Sequence, residues 1–211
     1  MHIPDGFLDL WLCAAMYIIS AAVIGYSGRK LKSKLEAPQV PLIGIVGAGI
    51  FAAQMLNWPI PGGTSAHFVG GAIAGILLGP YAGCLSMVSV LAIQCLVFGD
   101  GGITALGANI FNMAIVDVFV GYCIFKALRR YNQDVSLFLA GWIGIWLGAI
   151  AAGVEIGVSS IFAYGLMTTV PVMGIWHGAL GVIEGIITML AVRYVLTKQP
   201  DFVPLPEEVM G

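Results

Sequence analysis

Residues 66–98 read AHFVGGAIAGILLGPYAGCLSMVSVLAIQCLVF, a nearly continuous apolar stretch whose length decides the architecture of the chain. As a single helix, its 33 residues would extend for about 50 Å, against about 30 Å for the hydrocarbon core of a membrane. The pair Gly79–Pro80 lies near the middle of the stretch, where proline would interrupt a helix. We therefore predict two membrane spans here, a short one over about 66–79 and an ordinary one over about 81–98.

The composition of the whole chain is that of an integral membrane protein. Of its 211 residues, 59% are hydrophobic and only 9% are charged, whereas soluble domains carry about 25% charged residues. The apolar segments are long and continuous, which favours helices over the short alternating strands of a membrane β-barrel. The predicted fold class is therefore an all-α, polytopic membrane helix bundle in contact with lipid. A net charge of −2 and the lack of a basic cluster argue against a nucleic-acid partner.

The remaining apolar segments give five further spans, at about 7–28, 40–57, 104–126, 136–163 and 173–197. With seven spans and an outer N-terminus, every Lys and Arg falls on the cytoplasmic side; these are Arg29, Lys30, Lys32, Lys34, Lys126, Arg129, Arg130, Arg193 and Lys198. Because positively charged loops favour the cytoplasm, we predict seven transmembrane helices, an outer N-terminus and a cytoplasmic C-terminus. Residues 1–197 would form a single transmembrane domain, followed by a cytoplasmic tail at 198–211.

The predicted topology places all three histidines, His2, His67 and His177, on the outer side of the membrane. His67 would begin the short third span, after the stretch NWPIPGGTSAH, whose prolines and glycines predict a loop that dips toward the bundle. Polar residues at membrane depth are costly and usually face a cavity or the bundle interior. Further polar residues collect in the same outer half, namely Gln54, Asn57, Gln94, Asp100, Asn109 and Asn112. Together they predict a polar cup that opens to the outside.

Three carboxylates, Asp117, Glu155 and Glu184, are predicted to lie deeper in the membrane. Each could relay protons or ions, or could hold helices together as a hydrogen-bonded group, and we favour the structural role. Glycines at four-residue spacing allow close helix contact, either within the bundle, which we favour, or with a partner membrane protein. These pairs are Gly144/Gly148, Gly153/Gly157, Gly174/Gly178 and Gly181/Gly185.

The four cysteines offer no recognisable chemistry. They lie in apolar runs without a C-x-x-C spacing, at Cys13, Cys84, Cys95 and Cys123. We expect buried thiols that form neither a disulfide framework nor a thiolate metal site.

The opening residues MHIPDGFLD place a histidine directly after the α-amino group, which is a chelating arrangement. No positively charged region of a signal peptide precedes the first apolar run, so we expect Met1 and His2 to be retained. The Met1 amine, the His2 amide nitrogen and His2 Nδ1 can bind one ion through a five-membered and a six-membered ring. They leave one planar position, for which His67 Nε2 is the best-placed candidate. Four planar nitrogens suit Ni(II) or Cu(II) and could accept Co(II), whereas Zn(II) prefers a tetrahedron.

Residue types alone leave open an incidental histidine at position two and a His67 that is merely hydrogen-bonded. Three motifs favour the metal site: MHIPDGFLD at 1–9, GGTSAHFVGGAIAGILLGPYAG at 62–83 and GDGGITALGANIFNMAIV at 99–116. They resemble the CbiM/NikM family, the substrate-capture (S) components of energy-coupling-factor (ECF) transporters for cobalt and nickel, over essentially the whole chain. The resemblance implies seven helices, an outer N-terminus, and Met1, His2 and His67 as metal ligands.

The resemblance also implies partners in the inner cell membrane of a prokaryote. These are an ECF transmembrane coupling protein, two cytoplasmic ATPase subunits and, commonly, a small accessory membrane subunit. The chain contains no P-loop pattern G-x-x-x-x-G-K-[ST], so we expect a transporter subunit rather than an enzyme. No catalytic cofactor is expected. The expected cargo is Ni(II), with Co(II) second; the alternative is a cobalt-specific S component feeding cobalamin biosynthesis.

Other polar residues are expected to support the ligands without binding the ion. The candidates for this role are Asn57, Ser65, Gln94, Asn109 and Asn112, and weaker candidates for the site are Asp5, His177, Glu155 and Glu184.

Two rival functions use other residues. An ion-coupled secondary carrier would use Glu155 and Glu184, but the inverted repeats common in such carriers are not visible in the sequence. An intramembrane serine protease would need Ser159 or Ser160 as nucleophile and His177 as base. The segment GVSSIF lacks the G-x-S-G context expected of a rhomboid-like nucleophile, and this function leaves the opening MHIPDG unexplained.

Overall fold

The computed structural model describes residues 1–32 and 39–198; the tail predicted at 198–211 lies outside them apart from Lys198. The protein is mostly helical, at 77%. Seven helices follow one another in the described residues: α1 (Leu10–Lys32), α2 (Gln39–Gln54), α3 (Gly71–Leu78), α4 (Pro80–Phe98), α5 (Leu106–Leu128), α6 (Gln133–Val158) and α7 (Leu166–Lys198). Two short strands, β1 (Asn57–Pro59) and β2 (Ser65–His67), form an antiparallel hairpin between α2 and α3.

Five helices in the described part of the chain, α1, α4, α5, α6 and α7, are long and apolar enough to cross a membrane. The apolar part of α2, Val40–Gln54, is shorter. Helix α3 has only 8 residues and extends for about 12 Å. The predicted helical bundle with seven helices is confirmed for the described residues. A membrane-spanning role for α2 and α3 and the orientation of the termini stay predictions.

The interruption predicted at Gly79–Pro80 is present. Gly79 adopts φ 80° and ψ 160° between α3 and α4, a conformation that favours glycine. Pro80 is the first residue of α4, where its missing N–H leaves no helical hydrogen bond unmade. The predicted start of this third span at residue 66 is wrong, because Ser65–His67 form a strand and α3 begins at Gly71. His67 therefore ends β2, and the stretch predicted as a loop is a hairpin in which Asn57 pairs with His67.

The end predicted at residue 98 is confirmed for α4, but several other predicted boundaries are wrong by three to seven residues. Helix α1 begins at Leu10 rather than at residue 7, and α2 ends at Gln54 rather than 57. Helix α6 ends at Val158 rather than 163, because Ser159 is already extended, with φ −63° and ψ 131°. Helix α7 begins at Leu166 rather than 173, since Pro171 is accommodated in its second turn.

The glycine pairs on α6 and α7 pack against neighbouring parts of this chain. A side chain at Gly181 would collide with Trp142, and one at Gly185 would lie 2.6 Å from the carbonyl oxygen of Phe138. The indole nitrogen of Trp142 donates to the Gly178 carbonyl at 2.9 Å. Close packing within the bundle, the favoured interpretation, accounts for these glycines.

Three of the four cysteines are buried free thiols, as predicted, and they are Cys13, Cys84 and Cys95. Cys123 is also a free thiol but is exposed on α5. The prediction of burial was wrong for this residue, because an apolar residue on a membrane helix can face lipid as readily as the bundle interior.

Two buried carboxylates fasten the start of α3 to the helices around it. Glu184 on α7 accepts the Val69 amide at 2.9 Å and the Gly70 amide at 2.6 Å. Asp117 on α5 accepts the Gly71 amide at 3.0 Å. The first N–H groups of a helix have no partner within the helix, so these contacts agree with the structural role favoured from the sequence. They also fix the end of β2, two residues before Val69.

Candidate metal centre

The N-terminal residues are inserted into the bundle. Met1 and Ile3 are fully buried, and His2 is 5% exposed. The side-chain amide of Asn109 on α5 pairs with both main-chain groups of Ile3, accepting from its N–H at 2.8 Å and donating to its carbonyl at 3.1 Å. The Gly102 amide also donates to that carbonyl, at 2.9 Å. These contacts hold the first residues in one position.

Ser65 at the start of β2 lies beside the first two nitrogens of the chain. The Met1 amine donates to the Ser65 carbonyl at 2.7 Å and to Ser65 Oγ at 3.1 Å. The His2 amide donates to the same hydroxyl at 3.2 Å. The two main-chain nitrogens proposed as chelating atoms are therefore adjacent to the strand that carries His67.

His67 is fully buried and its ring lies close to that of His2. The ring centroids are 4.6 Å apart, and the planes are inclined by 21°. His67 Nδ1 is 2.7 Å from the Phe68 carbonyl, which can only accept, so Nδ1 carries the proton and Nε2 has a free lone pair. That Nε2 atom has no hydrogen-bond partner within residues 1–32 and 39–198. A buried nitrogen of this kind is rare unless something else binds it.

Burial disfavours the charged forms of the ligand candidates outside the helices. Burial lowers the pKa of the Met1 amine well below its usual value, an effect that the charge of Asp100 opposes. Burial, and next the charge of the nearby α-amino group, lower the pKa of His2 to about 3. The same two causes, burial first, lower the pKa of His67 well below its usual value. Neutral amines and imidazoles have the lone pairs that a metal ion requires.

Asp100 is a functional candidate that the sequence did not single out from the other outer polar residues. Its Oδ2 atom lies 3.7 Å from His2 Nε2 and accepts from Asn57 Nδ2 at 2.9 Å. Asn57 itself is exposed on β1. Burial raises the pKa of Asp100, against the effects of the α-amino group and of Asn57. Asp100 is part of the motif GDGGIT, but no sequence spacing predicts that it lies next to His2.

Of the other support candidates, only some contact the N-terminal segment. Ser65 and Asn109 form hydrogen bonds with it. Asn112 on α5 instead donates to Glu155 Oε2 on α6 at 2.7 Å. Gln94 is fully buried, and its side-chain amide has no hydrogen-bond partner in the described part of the chain.

The weaker candidates lie around the centre in different ways. Asp5 is exposed and accepts from the Ile103 amide and from the amide and hydroxyl of Thr104, at 3.1, 2.7 and 2.6 Å. His177 on α7 is fully buried, with Nδ1 2.9 Å from the Met173 carbonyl. Glu184 is occupied by the amides before α3. Asp5 therefore fastens the N-terminal segment to the loop before α5.

The predicted cup is closed rather than open to the outside. Met1 and His67 are inaccessible to solvent, because the N-terminal segment fills the space between β2 and α5. Among the described residues, no three His, Cys, Asp or Glu side chains converge in a way that could hold a metal ion. The candidate set differs from such a cluster because two of its four nitrogens belong to the main chain.

The serine-protease alternative finds no support in the contacts of its residues. Ser160 donates its hydroxyl to Asp9 Oδ1 at 2.8 Å, and Ser159 Oγ accepts from the Asp9 amide at 3.1 Å. Neither serine is hydrogen-bonded to His177 in the part of the chain that the structure describes. A serine nucleophile requires such a base within hydrogen-bond reach.

Comparison with known proteins gives a consistent result along the chain. A family model described as "Cobalt uptake substrate-specific transmembrane region" (CbiM) matches residues 2–202. A relative from Archaeoglobus fulgidus, named "Putative fused nickel transport protein NikMN", is 63% identical over 204 residues, which are 96% of this chain and 68% of the relative. A "Cobalt transport protein CbiM" from Acetoanaerobium sticklandii is 32% identical over 208 residues, 95% of this chain and 86% of the relative.

A solved structure is also similar in fold. The crystal structure of a truncated transition metal transporter superposes with a TM-score of 0.90 at 38% sequence identity. The match covers 93% of this chain and 99% of that one. The bundle, the hairpin and the inserted N-terminal segment thus belong to a chain that is similar over nearly its full length to metal transport proteins.

Proposed function

This chain belongs to the CbiM family of cobalt uptake substrate-specific transmembrane regions, and from that premise we propose that it captures Ni(II) or Co(II) with its own N-terminus. Its relatives are nickel and cobalt transport proteins, which agrees with a transporter rather than an enzyme. The five membrane-length helices agree with a multi-pass membrane protein. All of the proposed ligands lie outside those helices, in the N-terminal segment and in β2.

A single observation carries the proposal: the first two nitrogens of the chain lie buried beside a histidine with a free lone pair. The Met1 amine and the His2 amide both contact Ser65, and the His67 ring lies 4.6 Å from that of His2. An ion bound by the amine, the deprotonated amide, His2 Nδ1 and His67 Nε2 would have four nitrogens in one plane. This arrangement suits Ni(II), and Co(II) can occupy it as well.

Nickel is the preferred cargo. The planar nitrogen set favours it on chemical grounds. The Archaeoglobus fulgidus relative, named as a putative nickel transport protein, is 63% identical to this chain, and the cobalt transport protein of Acetoanaerobium sticklandii is 32% identical. A cobalt-specific S component that feeds cobalamin biosynthesis is the alternative within the same site.

We assign the surrounding polar groups to holding the ligands in place. Ser65 and Asn109 would orient the N-terminal segment, and Asn57 would act through Asp100. Gln94 and Asn112 make no hydrogen bond with the N-terminal segment among the described residues, so they would line the bundle beside the centre without holding a ligand in place. We assign no ligand role to Asp5, His177, Glu155 or Glu184.

The rest of the transport cycle would belong to other subunits. Residues 1–197 would form one metal-capture domain with an outer N-terminus, and 198–211 a cytoplasmic tail in the inner membrane of a prokaryote. An ECF coupling protein and two ATPase subunits, with a small accessory membrane subunit, would drive inward delivery. Lipid surrounds the bundle, since large apolar side chains such as Ile18, Leu96 and Ile175 are exposed on its helices.

The test is a titration of the detergent-purified chain with Ni(II) and Co(II), followed by absorption spectroscopy. One sample has the native N-terminus, and a matched sample has the same sequence with an acetylated N-terminus. We expect a yellow, diamagnetic one-to-one nickel complex only with the free terminus, because acetylation converts the amine ligand into an amide. Equal binding by both samples would contradict the proposed chelate.

An uptake experiment separates the proposal from the secondary-carrier alternative. Vesicles that contain only this chain should bind nickel without sustained accumulation, whereas addition of the ATPase partners should permit ATP-dependent uptake. Accumulation by the chain alone, abolished by an ionophore, would favour the carrier. The contacts of Glu155 with Asn112 and of Glu184 with two amides argue against mobile ion ligands at those positions.

A further inference from the structure

The loop between α4 and α5 brings one carboxylate to the candidate metal centre. Asp100 Oδ2 lies 3.7 Å from His2 Nε2, just beyond hydrogen-bond distance, and Asn57 Nδ2 donates to the same oxygen at 2.9 Å. The Asp100 amide donates to the Gln94 carbonyl at 2.9 Å, which holds the residue to the end of α4. Its side chain is 19% exposed, whereas that of His2 is 4% exposed. Asp100 therefore lies at the outer edge of the centre.

The chemistry of the chelate determines which nitrogen of His2 faces this carboxylate. Only Nδ1 can close a six-membered ring with the amide nitrogen of the same residue, so Nε2 carries the proton when an ion is bound. The Nδ1 edge of the His2 ring faces Gly101, which has no side chain. A Cβ atom at that position would lie 3.3 Å from Nδ1. His2 Nε2 has no hydrogen-bond partner elsewhere in the described residues. A metal-binding histidine usually donates its second N–H to a carboxylate or carbonyl.

The charge of the bound complex indicates the same residue. A divalent ion with a neutral amine, two neutral imidazoles and one deprotonated amide keeps one positive charge. A net charge in a buried site is costly unless an opposite charge accompanies it. Asp100 supplies one negative charge beside the ring of His2, so the complex and the carboxylate together are neutral. The nearby Asp5 is already bound to Ile103 and Thr104.

We propose that Asp100 is the positioning residue and the counter-charge for His2 in the metal-bound protein. Its carboxylate accepts a hydrogen bond from Nε2–H, which fixes the tautomer in which Nδ1 binds the ion, and its negative charge neutralises the complex. Asn57 orients the carboxylate by donating to Oδ2. This inference rests on the proposed function, because it requires His2 to be a ligand. It adds to the four nitrogen ligands a carboxylate that balances the positive charge of the buried complex.

The experiment compares the wild-type chain with Asp100→Asn, both with native N-termini, by Ni(II) titration in detergent. Asparagine has nearly the shape of aspartate and an oxygen that Asn57 can still reach, so a purely structural role would leave binding unchanged. We expect the affinity to fall about 10–100-fold. The visible absorption band should keep its position, because the same four nitrogens remain. Asp100→Glu should restore part of the affinity, since it restores the charge.

Asp9→Asn is the matched control for the charge alone. Asp9 lies at the same end of the bundle and is hydrogen-bonded to Ser160, not to the loop or His2. We expect its nickel affinity to stay within about threefold of wild type, as exposed charges contribute little. The deficit of Asp100→Asn should persist at about 1 M salt, where the Debye length is about 3 Å, and should appear in the dissociation rate.

Several results would overturn the role of Asp100. Asp100→Asn could bind nickel with wild-type affinity, or lose no more affinity than Asp9→Asn. Asp100→Glu could fail to recover any affinity. Finally, the only effect of Asp100→Asn could be a slower association that disappears in high salt. Each of them, together with a wild-type site that needs the free N-terminus, would remove only this inference. Equal binding by the acetylated wild-type chain would instead remove the proposed function and this inference with it.

Discussion

Two groups of buried polar atoms lie at the two ends of segment 65–71, the hairpin end near His67 and the helix end near Gly71. They differ in whether their atoms have hydrogen-bond partners. At the hairpin end, His67 Nε2 and His2 Nε2 have no hydrogen-bond partner among the described residues. At the helix end, both oxygens of Glu184 accept main-chain amides. Asp117 accepts the Gly71 amide through Oδ2, and only its Oδ1 has no partner in the same part of the chain. Both groups are almost inaccessible to solvent.

This difference separates a binding site from a structural one. A buried polar atom that lacks a partner costs free energy, and native proteins keep few of them. The carboxylate of Glu184 is explained by the amides that it accepts at the start of α3. At the hairpin end, His67 Nε2 would be occupied by the ion, and His2 Nε2 would donate its hydrogen to Asp100. Changes at the hairpin end should therefore act on affinity, and changes at the helix end on stability.

The largest expected effect is that of His67→Ala, which removes one of four nitrogen ligands. We expect the nickel affinity to fall at least about 100-fold. Loss of a residue that only supports a metal ligand already costs up to about 100-fold, and loss of the ligand itself should cost no less. Isothermal titration in detergent measures the change. The unfolding temperature of the metal-free protein should change far less.

His177→Ala is the matched control for that variant. His177 is a second fully buried histidine whose Nδ1 also faces a main-chain carbonyl, that of Met173. It lies on α7 near Ser65 and the Met1 amine, and its Nε2, like that of His67, has no hydrogen-bond partner among the described residues, but it contributes none of the four proposed ligand nitrogens. We expect its affinity to stay within about threefold of wild type. If His177→Ala were the more damaging variant, the centre would be misplaced.

Acidity should weaken binding by about tenfold per pH unit between pH 8 and pH 6. Binding displaces the proton of the His2 amide, and metal binding that releases one proton has this slope. The imidazole of His2, whose pKa burial lowers to about 3, is already neutral across this range and adds no second proton. Burial also lowers the pKa of the Met1 amine, which reduces the amount of bound proton that the ion must displace from it. Affinities measured at three pH values give the slope, and a slope of two protons would contradict the neutral ligand set.

The break between the third and fourth helices was predictable because its cause is local. Gly79–Pro80 interrupts a helix wherever it occurs, and the structure places the junction there. The hairpin was not predictable in the same way. The pairing of Asn57 with His67 depends on the packing of β2 against residues far along the chain, and the three-residue strands are too short to show an alternating pattern.

The site shows the same division between local and distant causes. The chelate formed by Met1 and His2 depends on covalent neighbours, so the sequence alone indicates it. Asp100 lies close to His2, and Asn109 forms hydrogen bonds with Ile3. Each of these contacts joins residues about 100 positions apart in the sequence. A single sequence contains no spacing that predicts such contacts. For that reason the predicted open cup was wrong, since the N-terminal segment closes it.

At the helix end of segment 65–71, Glu184→Gln should reduce stability rather than affinity. Glutamine keeps one acceptor oxygen but turns an NH2 group toward the amide of Val69 or Gly70, which leaves one buried N–H without a partner. We expect the free energy of unfolding to fall by about 2 kcal/mol. Thermal unfolding of the metal-free chain in detergent measures the change.

Asp134→Asn is the control for Glu184→Gln. Asp134 accepts from Arg193 at 2.7 Å, but both side chains are exposed. Loss of an exposed ion pair should cost less than about 1 kcal/mol. Equal losses for the two variants would mean that burial of Glu184 does not matter. A loss of nickel affinity without loss of stability in Glu184→Gln would move this residue to the binding group.

The smallest expected effect is that of Asn109→Ala, which tests whether the hydrogen bonds to the N-terminal segment contribute to metal binding. Asn109→Ala removes two hydrogen bonds to Ile3 and should weaken nickel binding about tenfold, because the chelating residues must then be ordered when the ion binds. Asn112→Ala, three positions along the same helix, removes a bond to Glu155 instead and should change the affinity by no more than about threefold. The comparison works because the two asparagines share a type and a helix but differ in which segment they hold. If both variants bound nickel as tightly as wild type, the order of the N-terminal segment would come from the packing of Met1 and Ile3 alone.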